Sequence, residues 1–513
     1  MISYRQKHWV CIFLVFLVID CLFESPTSLD GQEPPKATPA TDYFGLRALD
    51  QETGRGVPLV RFKTTSNIVF WSDSQGYVAF NEPGLMDTEV HFEIDSPGYE
   101  AIADGFGFRG IRVTPQVGQV AEVRLKRINL AERIGRLTGQ GIYRDSELLG
   151  LPVPPNSRSL QAGVTGSDSV QMVPYRGRLF WLWGDTNLAY YPLGNFHVTA
   201  ATSPWPGADS FPTVDDVALD YFTDPTTGLA KKMLPLESPG AVWLFGLVNL
   251  SSGDQETLVA HYSRHLRLGE MVEHGIATFD DTSQEFEIQT TFDLSNTWRM
   301  PRGQAFRHQD ADGDFVYFAD PFPVTRVPAQ LKSFCDPQQY QAYAWDPSSQ
   351  MYRWQSTEAP TSQASEKEQI TEQKMPSTSA RFQVIDRDTR RPVAIHRASV
   401  NWNHYRRCWI MIGCEINPSG EPSHLGEVWY AESPELTGPW TTGVKIATHP
   451  GYSFYNPRHH VVWDQADGRY IYFEGTYTQT FSGSLTPTPR YEYNQLLYRL
   501  DLAVFASQDS TDK

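Results

Sequence analysis

The stretch TGSDSVQMVPYRGRLFWLWGDT (165–186) decides how the rest of the chain is read. Arg176-Gly177 is a two-residue turn signal between two apolar runs, the pattern of a tight β-hairpin. With that turn, Tyr175 faces Arg178, and carrying the register outward sets Asp168 opposite Asp185. Directly opposed residues in an antiparallel pair have Cα atoms about 4.5–5.5 Å apart, and their side chains leave the sheet on the same face. Two carboxylates so placed repel unless they bind a cation or share a proton. The small residues around each aspartate (TGSDS, WGDTN) leave room for a ligand to approach.

The second strand of this hairpin recurs. YRGRLFWLWGD (175–185), DADGDFVYFAD (310–320), HYRRCWIMIGCE (404–415) and ADGRYIYFEG (466–475) each join a turn to an apolar run that ends in a small or acidic residue, and GAVWLFGLVN (240–249) reads as a weaker fifth copy. ATFDDTSQEFEI, YAWDPSSQMYRW and YAESPELTGPW look like outer hairpins of the same units. Internal β-hairpin repeats read as propeller blades, which close into a ring. The predicted fold class is all-β, a five-bladed β-propeller over 160–503 with a small N-terminal β-sandwich.

Working outward, 42–127 reads as short alternating strands separated by Gly, Pro and Asp turns, the pattern of a sandwich. GVP before its second strand, SDSQGYVAF and SPGYE make it resemble carboxypeptidase-regulatory-like (transthyretin-like) domains, a resemblance that implies a fold and no activity. Residues 128–159 are expected to form a helical connector, with Ile128, Leu130, Ile134 and Leu137 near helical spacing. Residues 355–379 lack apolar period and are expected to be a flexible insertion, and 504–513 a disordered tail. At the start, Arg5 and Lys7 precede the apolar run Val10 to Ile19. Ten residues are too few for a bilayer, which needs roughly 20, so 1–23 reads as a signal peptide, with an uncleaved membrane anchor as the alternative. A Pro/Ser/Thr linker follows at 24–41. The expected location is secreted or exported.

The net charge of −17 excludes a nucleic-acid partner, because phosphate binding needs a basic footprint. The sequence has no nucleophilic serine elbow, HExxH or phosphate loop. DADGD (310–314) has its glycine two positions too early for an EF-hand loop. No cofactor or metal is expected; a channel ion such as calcium is conceivable and not indicated. Five cysteines, two of them in the signal region, make no disulfide framework.

If every repeat ends on the same rim of the ring, that rim gathers Asp185, Asp320, Glu415 and Glu474, and the starts of the inner strands add Asp168, Arg302, His396, Asn456 and His459, with Trp402 nearby. A turn at Tyr405-Arg406 would set His396 opposite Glu415. Carboxylates with aromatic platforms suit a sugar site, so the catalytic candidates are Asp168, Asp185, Glu415 and Glu474, and the substrate-binding candidates Arg302, Asp320, His396, Trp402, Asn456 and His459.

TGSDS followed by a hairpin ending in WGDT resembles the start of the catalytic propeller in DUF4185-type arabinanases and, more distantly, the five-bladed furanosidases and arabinanases. AESPELTGPW (431–440) is similar to an outer-strand pattern of those enzymes. The resemblance implies a glycoside hydrolase whose catalytic pair falls on Asp168 and Asp185, acting on a polysaccharide, furanosidic or other. A non-catalytic glycan- or protein-binding propeller and a polysaccharide lyase are the alternatives.

Overall fold

The computed structural model describes residues 42–154, 161–190, 198–206, 217–253 and 255–506; the expected signal segment, linker and last residues of the tail lie outside them. Five sheets follow one another along the chain from residue 171. Blade 1 runs outward through Gln171–Tyr175, Arg178–Trp183, Thr199–Pro204 and Asp220–Tyr221. Blade 2 comprises Ala241–Ser252, Gln255–Arg267, Glu270–Asp280 and Glu285–Thr291. Blade 3 has five strands, Gln304–Asp310, Gly313–Ala319, Pro323–Pro328, Gln341–Asp346 and Met351–Gln355. Blade 4 runs through Ile395–Asn403, Cys408–Glu415, Val428–Ser433 and Thr442–Ala447, with Ile385–Asp386 added parallel at its outer edge. Blade 5 is Ser453–His459, Tyr470–Thr478 and Asn494–Asp501, and its outermost strand is Glu132–Arg136, which precedes blade 1 in the chain. The two ends of the propeller are thus hydrogen-bonded into one sheet, which removes a free edge.

The apolar runs explain why blades stack. The second strand of blade 4, Cys408–Glu415, is apolar on both faces because both are covered. Ile410 and Ile412 pack with Phe454, Ile471 and Tyr498 of blade 5, while Trp409 and Met411 pack with Ala319, Phe322 and Val324 of blade 3. The same alternation sends Phe180 and Leu182 toward Val242 and Tyr262 of blade 2, and Trp181 and Trp183 toward Tyr472 and Leu497 of blade 5. A further cluster of Val248, Ile276, Val316 and Val327 joins blades 2 and 3. Each of the five neighbouring pairs, including blade 5 with blade 1, shares its own core, so the ring is closed. At about 25 cal/mol per Å² of buried apolar surface, these five interfaces supply the main driving force of the fold.

Ahead of the ring, Tyr77–Phe80, Phe44–Asp50, Val120–Arg127 and Tyr99–Glu100 form one four-stranded sheet, and Val69–Trp71, Arg61–Thr64, Val90–Asp95 and Gly110–Val113 a second. Leu46, Phe62, Phe80 and Phe92 share the core between them. This sandwich is tied to the propeller by the buried Arg133, whose guanidinium donates to the carbonyls of Pro58 and Pro97. Tyr491 adds its hydroxyl, which donates to the Ser72 carbonyl at 2.6 Å and accepts from the Leu59 amide at 3.0 Å.

Several expectations are corrected. Within 128–159, expected as a helical connector, the segment around Ile134 is the closing strand Glu132–Arg136 instead, buried along its whole length; among the described residues of the connector, the helix is the short Arg144–Leu148. Blade 1, against Ile134, and the sandwich, against Arg133, bury the two faces of the segment, which reproduces an apolar pattern close to helical spacing. The 355–379 insertion contains the helix Gln363–Thr371, pinned by the buried Glu366, which accepts from the Arg381 and Phe382 amides, the Gln383 side chain and the Tyr352 hydroxyl. Residues 504–506, the start of the expected tail, belong to the helical turn Ala503–Ala506, with Phe505 stacked on Tyr430 at 4.4 Å. GAVWLFGLVN is the innermost strand of its blade, whereas the other four copies are second strands. Blade 2 is therefore out of phase with the repeat.

Candidate active site

The first hairpin forms as its turn dictates. Arg176 and Gly177 both adopt positive φ (48° and 73°), the pair a type I′ turn requires, and Tyr175 faces Arg178. Further out, the Asp168 amide donates to the Asp185 carbonyl at 3.1 Å and the Gly184 amide to the Asp168 carbonyl at 2.8 Å. Both aspartates are half-buried and line a pocket of about 940 Å³ at one end of the ring.

The two carboxyls have different surroundings. Asp168 Oδ2 accepts from Tyr455 Oη at 2.8 Å, and Tyr493 and Ser169 also hydrogen-bond to it. Burial, and then the negative charge of Asp185, push its pKa up to about 7 against those bonds. Asp185 Oδ1 accepts from Trp243 Nε1 at 2.8 Å; burial raises its pKa as well, and the indole N–H opposes the rise. A Cβ placed on Gly184 would stand 2.2 Å from Asp168 Oδ1, so glycine at this position lets the carboxylate lie flat against the backbone.

Around the pair, the pocket wall is largely aromatic and apolar. Trp243 packs at a tilt of 51° against His265 with centroids 4.5 Å apart, and Phe245, Leu425, Phe481 and Tyr493 complete that surface. Arg302, Gln304, His396, Arg397 and Asn456 supply polar groups. Burial and the nearby Arg302 push His265 down to about 4, and burial and Arg397 push His396 down to about 4, so both are neutral hydrogen-bonding imidazoles at pH 7. Below the pocket, side chains plug the ring. Arg458 donates to Gln304 Oε1 at 2.8 Å and to the Met172 carbonyl, Gln304 donates to the Val170 carbonyl, and Gln171 bonds both ways to blade 2. Among the described residues no group of three or more His, Cys, Asp or Glu side chains could hold a metal ion.

The structure thus brings Asp168, Asp185, Arg302, His396 and Asn456 to one pocket, and it places the other candidates elsewhere. Glu415 is buried in an ion pair with Arg391 and accepts from Trp429 Nε1. A β-bulge between Ile395 and Arg397 sets Ile395, rather than His396, opposite it. Glu474 is sealed with His460 between blades 5 and 1, 2.6 Å from its Nε2. His459 is buried against Asp464 and Asn401. Trp402 stands beside the Asn403–Cys408 hairpin end, edge-on to Trp409, remote from the pocket. Asp320 sits behind the wall, one oxygen paired with Arg397 and the other accepting the Arg302 amide at 3.1 Å. The in-phase ends of the repeat share a rim, but strand twist and bulges turn most of their side chains into blade interfaces. Trp243, His265, Arg397, Tyr455 and Tyr493 were not singled out from the sequence. Trp243 lies in the out-of-phase copy, and the tyrosines lie in the last blade, where no pattern marked them.

Comparison with known proteins adds little. No family model matches, and no curated protein matches. Among solved structures, the chain is similar to the GH43_1 enzyme of Xanthomonas citri complexed with xylose (10% identity, 66% of this chain and 88% of that one, TM-score 0.32). It is also similar to the native arabinanase Arb43A of Bacillus subtilis (10%, 65% and 93%, 0.33) and to 1,3Gal43A, an exo-beta-1,3-galactanase from Clostridium thermocellum (10%, 67% and 60%, 0.35). At these identities and TM-scores the likenesses carry no argument about activity, and the propeller rests on its own five sheets.

Proposed function

We propose that the chain is an exported glycoside hydrolase that cleaves a polysaccharide at the Asp168–Asp185 pair. One observation carries the reading: two carboxyls in one aromatic-walled pocket, held by different partners so that their proton affinities diverge. Divergent environments of this kind divide acid and base roles between like residues. Asp168, pushed up to about 7, holds its proton up to near neutral pH and can deliver it to the leaving glycosidic oxygen. Asp185 is steadied as an anion by the Trp243 N–H and acts as nucleophile or as base toward water. Trp243, Phe245 and Phe481 offer rings for sugar faces. The resemblance to DUF4185-type arabinanases makes furanosidic polymers the first substrates to try. Export follows from Arg5, Lys7 and the apolar run after them.

The test is release of reducing ends from a polysaccharide panel by the wild type and by Asp168→Asn and Asp185→Asn. Hydrolysis by the wild type that drops in both variants supports the reading; full activity in either variant overturns it. Glycan binding without any release would favour a binding propeller.

A further inference from the structure

On the part of the pocket wall that Arg302 lines, the charge balance is uneven. Asp320 is the acidic neighbour of two arginines, and both of its oxygens are occupied, one by the Arg397 guanidinium and the other by the Arg302 backbone amide. Arg267, at the mouth, is paired with Glu270 at 2.5 Å. Arg302 is left with contacts that neutralise nothing: its guanidinium lies 3.8 Å from Met271 Sδ and 5.8 Å from the centre of the Phe245 ring. Among the described residues no carboxylate is ion-paired with it. Burial, and then the positive charge of Arg397, lower its affinity for its proton, and the charge of Asp320 opposes them only in part. In a chain of net charge −17, carboxylates are plentiful, yet the two in this pocket, Asp168 and Asp185, are held by Tyr455 and Trp243 rather than by this guanidinium. His265, which feels the charge of Arg302, and His396 line the same pocket, are neutral at pH 7 and can each donate an N–H.

We infer that Arg302 is the centre of a subsite for an anionic substituent on a sugar, a uronate carboxylate or a sulfate ester. This rests on the carbohydrate reading of the same pocket. An incoming carboxylate would take the planar guanidinium in a bidentate pair and relieve the repulsion between Arg302 and Arg397. Trp243 holds Asp185 and packs against His265, and Arg302 lines the same pocket, so the charged substituent would sit in the same pocket as the bond to be cleaved.

The experiment is calorimetric binding of D-galacturonate, D-glucuronate, D-glucose 6-sulfate, D-galactose and D-glucose to the full chain. It is repeated with Arg302→Gln and with Arg302→Lys, which keeps the charge. A charge-assisted pair predicts that the wild type prefers a charged sugar over its neutral counterpart by about tenfold or more, that the preference collapses in Arg302→Gln, and that part of it survives in Arg302→Lys. The Arg302 side chain is exposed in the pocket, so neither variant should disturb the fold, and circular dichroism checks this. Uronate or sulfate leading the series identifies the anion. Equal affinity for charged and neutral sugars, or a preference that persists in Arg302→Gln, overturns the inference. The two readings fail separately. Hydrolysis of neutral polymers with no Arg302-dependent preference keeps the hydrolase and removes the subsite. Arg302-dependent uronate binding with no reducing ends, or with an unsaturated product absorbing in the near ultraviolet, keeps the subsite and removes the hydrolase.

Discussion

The proton on Asp168 is the residue-scale feature with the most consequences. Its folded pKa of about 7 lies above the ordinary carboxylate value of 3.8, so the folded protein binds more protons than the unfolded chain between those limits. Stability contributed by this group is therefore present below about pH 4 and falls as pH rises toward 7. Asp168→Asn should remove that fall, and denaturant titrations of the two proteins at pH 4.5 and 8 measure it: the variant gains on the wild type at the higher pH. In catalysis the same proton sets the alkaline limb of kcat/KM near pH 7, and the loss in Asp168→Asn is expected at about 10²–10⁴-fold, read as initial rates across pH 4–9. Gly184→Ala tests the geometry apart from the charge. The new methyl would meet Asp168 Oδ1 at 2.2 Å, so the carboxyl must move; activity should fall by at least tenfold while overpacking costs about 1–3 kcal/mol in stability. The opposition of Asp168 and Asp185 was legible because a two-residue turn fixes every later pairing. What those carboxyls touch was not, since Tyr455, Tyr493 and Trp243 come from blades 5 and 2.

At the scale of the element, period and phase were read with different success. Strands came through clearly, because residues such as Ile410 to Ile412 can be apolar without a break only if both faces of a strand are covered. The strand Glu132–Arg136 was misread as helix for the same reason: burial on both sides erases the two-residue period that marks a strand. The polar insertion was misread because its anchor is one residue. Glu366 gathers four donors in a buried site, and composition carries no trace of that. Glu366→Ala should leave those donors without a partner and cost about 1–3 kcal/mol, measured by chemical denaturation. An effect under about 0.5 kcal/mol would show that the helix Gln363–Thr371 is held by something else. Register failed at blade 4, where a single bulge between Ile395 and Arg397 moved His396 off Glu415.

For the whole molecule, ring closure and the sandwich are one mechanical unit. The closing strand Glu132–Arg136 carries Arg133, whose guanidinium reaches into the sandwich, and Tyr491 of blade 5 does the same from the other side. Calorimetry of the chain should therefore show one cooperative transition rather than separate melting of sandwich and propeller. A chain beginning at residue 140, which lacks the closing strand, should expose the edge of Asn494–Asp501 and aggregate or melt earlier; equal melting temperatures would contradict this. The sequence by itself determined the all-β character, the five repeats, the sandwich and the facing aspartates, because these depend on local turns and on a two-residue period. Only the tertiary structure decided which rim residues reach the pocket. Glu415 and Glu474 end their repeats in phase with Asp185, yet each is turned into a blade interface by the pairing of its neighbours, while Arg302 is left facing open space because Asp320 is already taken. Strand position is a local property, but the partner that claims a side chain arrives from another blade, and no pattern within one blade records it.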